Sequence, residues 1–165
     1  MVWYYVFMDI ENTIREYLPE VIHMSLATTK ENKPWVCEVH FAYDDKLNLY
    51  FRSLTSRRHS NEIAENPNVA GNIVKQFEIN EAGVGVYFEG TASLLTDPAE
   101  KEIAFQSIRG RFGLGDEILA ESDNPEGHQF YKITVHAFYV FGVFDKGSSQ
   151  KYELEWNKPT PAPAN

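Results

Sequence analysis

Leu47–Ala70, LNLYFRSLTSRRHSNEIAENPNVA, decides how this chain reads. Leu47–Ser53 has strand character, the residues after it form a tight polar loop, and a short helix follows that Asn66-Pro67 stops. Three of the chain's six arginines, Arg52, Arg57 and Arg58, fall within seven residues here. Ser53, Thr55, Ser56 and His59 stand among them. Unpaired amides at a helix N-terminus, hydroxyl groups and guanidinium forks together suit a phosphate. A solvated basic loop with Ser56 as a plain N-cap fits the spacing equally well.

That positive focus is local. The 165 residues carry a net charge of −9. Such a balance argues against general nucleic-acid binding, which needs a basic face to displace counterions. It also argues against an anionic membrane surface. The length suits one domain with one core. Nine Tyr and eleven Phe, mostly on expected strands, fit a β-rich core and a covered subunit face. One cysteine, Cys37, rules out an internal disulfide and a Cys-based zinc cluster, and suits a reduced, cytoplasmic setting. Residues 1–8 read as a leader or an added edge segment, too short for a membrane span. Residues 158–165 read as a Pro-rich tail.

Working outward from the central stretch, Asp9 caps a helix to about Leu18, which Pro19 ends. Strands are expected over Val21–Thr28, Trp35–Tyr43, Val69–Phe77, Val84–Leu95, Phe130–Phe144 and Lys151–Trp156. Gly85 and Gly90 mark bends or bulges. Asp97-Pro98-Ala99-Glu100 opens a helix to Phe112 that buries Ile103, Ala104 and Ile108, and Gly113 stops it. Residues 114–127 form a loop with room for one helical turn. Hairpin-linked strands with two or three helices point to an antiparallel barrel with peripheral helices.

Other chemical signals are weak. Gly110–Gly115 follows a helix and lacks the Lys-Ser/Thr of a phosphate loop. His23, His40, His59, His128 and His136 show no helical pairing, so no metal site is expected. His59, beside the arginines, suits a phosphate as a cation or donor. Cys37 reads as a small buried residue, not a nucleophile. No general acid or base can be named.

The run from Leu26 to Val74 resembles the pyridoxamine 5′-phosphate oxidase-like FMN-binding split-barrel superfamily. The matching residues are Leu26-Ala27-Thr28, Pro34, Asp44-Asp45, Leu49-Tyr50-Phe51, Ser56-Arg57-Arg58-His59, Asn66-Pro67 and Val69, with Val84–Asp97 as the later strand. The resemblance implies a mainly β, six-stranded antiparallel split barrel over residues 9–157 that forms a homodimer. It implies FMN at the subunit interface, with phosphate contacts from Ser56, Arg57 and Arg58, joined by His59, and strand contacts from Phe51 and Arg52. First-strand contacts would fall near Val36–Phe41. The chain departs from the oxidase itself at Gly85, where the oxidase carries Gln, and has no arginine after Arg111. The resemblance therefore implies a flavin-dependent oxidoreductase on another small-molecule substrate or electron donor, with a non-catalytic flavin- or haem-binding module of the same fold as the alternative.

Overall fold

The computed structural model describes residues 9–81, 83–142 and 152–156. The expected leader, the far end of the strand predicted to reach Phe144, and the Pro-rich tail lie outside the described residues.

The first helix, α1 (Ile10–Tyr17), starts where the Asp9 carboxylate accepts the Asn12 amide at 3.1 Å. It buries Ile14 and Tyr17, and a 3-10 turn over Leu18–Glu20 carries Pro19. Strands β1 (His23–Lys30) and β2 (Lys33–His40) form a hairpin. Its two turn residues, Glu31 and Asn32, both have positive φ (50° and 60°), the twist that joins such strands most directly. Then come β3 (Ala42–Tyr43), β4 (Leu49–Ser53), α2 (Arg58–Glu65), β5 (Asn68–Val74) and β6 (Gly85–Leu94). The chain continues through α3 (Pro98–Phe112), α4 (Glu117–Glu121), β7 (Gln129–Phe141) and β8 (Tyr152–Glu155). Asp97 caps α3 and Gly113 ends it at φ 67°, as the sequence indicates.

The strands form one antiparallel sheet in the order β2-β1-β5-β6-β7-β4-β3, with β8 added beside β7. The sheet curls into a split barrel with peripheral helices. It has eight strands where the resemblance implies six and the sequence pattern marks seven, because the Trp35–Tyr43 run divides at Phe41 into β2 and β3. Pairing of β6 with β7 shifts between Glu89 and Gly90. A Cβ at Gly90 would stand 2.3 Å from the Thr134 carbonyl oxygen, so the bulge requires glycine.

Inside the curl, Met24, Leu26, Phe41, Leu49, Phe51, Ile73, Phe88, Ile133 and Phe138 form the main core. Each such side chain contributes about 1.5–3 kcal/mol by leaving water. A smaller cluster under α3 joins Ala104, Phe105 and Ile108 to Tyr50, Ile118 and Phe130. Ile103, expected in that cluster, is half exposed, because the helix face turned to the sheet passes through residues 104, 105 and 108. Arg111 fixes the far end of α3: it donates to the carbonyls of Leu18 and Val21 and lies over the Phe41 and Tyr43 rings.

The split positions the site. Strand β3 pairs only with Leu49 and Tyr50, so the rest of β4 has strand β7 on one side and no strand on the other. Its end therefore opens toward β2, the other limit of the sheet.

Candidate functional site

A cleft of about 590 Å³ lies at this opening. Strand β2 gives it Glu38, Val39 and His40, and β4 with the following residue gives Arg52, Ser53 and Leu54. Ile108, Phe112 and Leu114, from α3 and the residues after it, supply an apolar wall. Arg57, His59 and His128 complete the lining. The volume is that of a small-molecule or cofactor site.

The six residues singled out from the sequence divide into three groups. Arg52, Arg57 and His59 line the cleft. Ser56 and Arg58 line a second depression on the far side of the turn, with Lys30, Lys33 and Asn61. Phe51 lies in the core at 1% exposure, its ring stacked 5.0 Å from that of Tyr131.

The turn before α2 places Arg57, not Ser56, at the N-cap position in extended conformation. No side chain caps the helix, so the leading amides of α2 carry none of the side-chain acceptors that close α1 and α3. Arg57 makes no ion pair among the described residues. Its neighbour Arg58 lies 4.2 Å over the Trp35 ring and gives its Nε to Glu62 at 2.7 Å. Glu62 is almost fully buried; the Thr28 hydroxyl and Arg58 both hold its carboxyl below the usual range.

His59 points inward from the same corner. Its Nε2 lies 2.7 Å from Ser53 Oγ and its Nδ1 3.3 Å from Cys37 Sγ. Ser60 extends the chain with a hydroxyl bond to Ser53 at 3.2 Å. Burial, and then the nearby Arg57 charge, lower the His59 pKa, which disfavours the first of the two roles expected from sequence, cation or donor. Cys37 is half-buried, less enclosed than the buried residue expected, and burial pushes its thiol pKa up.

Across the cleft stands a cluster of which the sequence singles out only Arg52. Glu121 Oε2 accepts from Arg52 Nη2 at 2.5 Å. Its Oε1 accepts from His128 Nδ1 at 2.7 Å and from the His128 amide at 3.1 Å. These donors, the His128 ring first, hold the Glu121 carboxyl at a pKa of about 2. The segment is fixed by Gln129, whose amide reaches the carbonyls of Asn124 and Gly127, and by Lys101, which reaches that of Ser122. The seven-residue gap from Glu121 to His128 crosses a helix end and a loop, so periodicity gives no signal for it; the one hint is the helical turn expected in 114–127.

Among the described residues no three His, Cys, Asp or Glu side chains converge as metal ligands, and no helix is long and apolar enough to cross a membrane.

Comparison with known proteins adds the following. The sequence profile of the family described as pyridoxamine 5′-phosphate oxidase matches residues 10–142. A search of curated proteins gives no match. Among solved structures, a candidate 5-nitroimidazole antibiotic resistance protein from Bacteroides thetaiotaomicron is 17% identical with a TM-score of 0.68, over 82% of this chain and 86% of that one. A haem-binding protein from Mycobacterium smegmatis is 17% identical with a TM-score of 0.66, over 82% of this chain and 53% of that one. A haem storage protein from Vibrio cholerae is 21% identical with a TM-score of 0.61, over 78% and 91%. At these identities the likeness is one of fold.

Proposed function

The chain belongs to the pyridoxamine 5′-phosphate oxidase family, and on that premise we propose that it binds FMN and acts as a flavin-dependent oxidoreductase on a small-molecule substrate. The carrying observation is the corner at the start of α2. In a chain of net charge −9, an uncapped helix N-terminus has Ser56 and Arg58 on one side and, on the cleft side, Arg57, which makes no ion pair among the described residues. These donors fit a phosphate dianion. The acids nearby do not oppose it strongly, because Glu62 is engaged by Thr28 and Arg58, and Glu31 lies 3.8 Å from Lys33.

Ser56, the leading amides of α2, Arg57 and the outer nitrogens of Arg58 would hold the phosphate. The cleft between β2 and β4 would take the ring system, with Arg52 in its wall. Phe51 contributes through the backbone, since its side chain is committed to the core. FMN supplies two-electron redox chemistry when bound, while the chain orients it and limits water access. His59, held neutral between Ser53 and Cys37, stiffens the floor under the turn.

A second copy of the chain would close the site. Ile22, Trp35 and Val36 stand exposed on and beside the edge strand β2, at 51%, 38% and 57%. A homodimer covering this edge accounts for them. The single thiol and the acidic charge suit a cytoplasmic protein.

The alternative is a haem-binding module. His40 and His128 on an apolar wall favour it, since imidazole is a common haem ligand. Protein purified without added cofactor decides between the two. Flavin absorbance bands, lost when Arg57 and Arg58 are both replaced by Ala, support the FMN site; a haem band supports the alternative. Bleaching of the flavin bands by a nicotinamide cofactor would mark an enzyme. Unchanged flavin retention in the double variant would refute the phosphate corner.

A further inference from the structure

The Arg52–Glu121–His128 cluster has chemistry that cofactor binding alone does not use. We propose that His128 is the base of the cleft, taking a proton from the hydroxyl of a phenol- or enol-type ligand lying against Ile108, Phe112 and Leu114. This rests on the cleft being the small-molecule side of the FMN site, and it names the class of that molecule.

The tautomer follows from the partners. Glu121 is ionised at neutral pH, since its donors hold its pKa at about 2. A carboxylate only accepts hydrogen bonds, so the imidazole proton must sit on Nδ1, 2.7 Å away. The lone pair of neutral His128 is then on Nε2, which has no protein partner among the described residues. The ring is half exposed on the cleft wall. By contrast, both ring nitrogens of His59 are occupied.

The ligand class follows from acidity and shape. A carboxylic acid is ionised at neutral pH and needs no base, and an aliphatic alcohol is far too weak an acid to protonate an imidazole. A phenol, at about 10 against about 6.5 for histidine, lies within reach when the ion pair is stabilised, and an electron-poor phenol more so. In the step, the ligand O–H bond breaks and an Nε2–H bond forms. The electron pair stays on the ligand oxygen, and Glu121 meets the imidazolium charge. Arg57, on the same cleft and without an ion pair among the described residues, meets that of the oxygen. The other ionisable groups on the cleft are Glu38, His40 and His59; the Ser25 hydroxyl donates to Glu38, and His40 lies 5.6 Å from the Phe112 ring. Phe112 and His40 present flat surfaces to an aromatic ligand.

The test uses 3-nitrophenol, whose phenolate is coloured and which ionises only above neutrality, added to FMN-free and FMN-loaded protein about one pH unit below the phenol's own pKa, where an ordinary imidazole is still neutral. Bound ligand should be enriched in phenolate by up to ~10-fold over free solution. His128→Gln should return it to the solution level. Glu121→Gln should lower it although His128 is present, because an amide can donate to Nδ1 and reverse the tautomer. His136→Gln, on another face, should change nothing. Nitrogen NMR of the unliganded protein should show His128 protonated at Nδ1 when neutral. Should His128→Gln fail to fold by circular dichroism, the Glu121 variant and the NMR tautomer decide. Phenolate enrichment that survives His128→Gln, failure of 3-nitrophenol to bind either form, or an Nε2-protonated ring would each overturn the proposal. His128-dependent enrichment in protein that never retains FMN would uphold it while removing the flavin.

Discussion

Two corners of the cleft each bring an arginine and a histidine to the same opening, and they differ in what those side chains are free to do. At the α2 corner the histidine is spent: His59 is buried between Ser53 and Cys37. The arginine is free, since Arg57 makes no ion pair among the described residues. At the α4 corner the roles reverse. Arg52 is bound to Glu121, while His128 keeps one nitrogen open. Residue type alone therefore does not assign chemistry. A group bonded at every polar atom builds structure, and a group with one atom left over can meet a ligand.

Replacing residues along this divide should give effects in a definite order. The largest belongs to Phe51, beneath both corners. Phe51→Ala should cost ~3–5 kcal/mol in denaturant unfolding, as for a filled core position; a loss under 1 kcal/mol, on the order of a surface change, would return the ring to the ligand. Next, Arg57→Ala with Arg58→Ala should weaken FMN retention by ~100-fold or more, measured by flavin fluorescence on dialysis. Of the two single changes Arg57→Ala should be the more damaging, because Arg58 is partly committed to Glu62 and Trp35. Equal effects would erase the distinction between free and engaged cations.

The two histidines should then separate in stability. His59→Ala removes the imidazole that joins Ser53 to Cys37, leaving Ser53 with Ser60 and Leu54 alone and Cys37 with only the Leu26 carbonyl, and should cost ~1–3 kcal/mol. His128→Ala, half exposed, should cost less than ~1 kcal/mol. The acid side of the stability curve sharpens this further. His59 has a lowered pKa in the folded state, so stability should fall as the pH drops below about 6.5, where the unfolded chain takes up a proton that the folded one refuses. His59→Gln should flatten that region. Glu121, lowered from 4.5 to about 2, adds stability above pH 4.5 that fades as the pH falls toward 2. Glu121→Gln should remove this smaller contribution from a urea-melt series. If the profile stays unchanged in both variants, the hydrogen bonds assigned to the two corners are wrong.

Much of this molecule could be read from local pattern. Asp9, Asp97 and Gly113 mark helix ends because capping needs only neighbours in sequence. Gly90 marks the bulge because a side chain there would strike Thr134. The strand–turn–helix at residues 47–65 appears with boundaries close to those expected. Ile103 was misjudged because helical spacing fixes a stripe but not which edge of that stripe meets the sheet. The strand expected over Trp35–Tyr43 divides at Phe41, where the alternating pattern runs on through a break that only the curl of the sheet imposes.

The sequence alone set the family, the strand-rich fold and the concentration of basic residues before α2, because these depend on residue type and short spacing. Tertiary structure decided which of those residues share a surface. It sent Arg52, Arg57 and His59 to one cleft, Ser56 and Arg58 to another hollow, and Phe51 to the interior. It also brought Glu121 and His128 to Arg52, 69 residues away from Glu121 in sequence. Closing a sheet joins distant segments by packing and hydrogen bonding, and no local propensity encodes which atoms remain unpaired once it has closed.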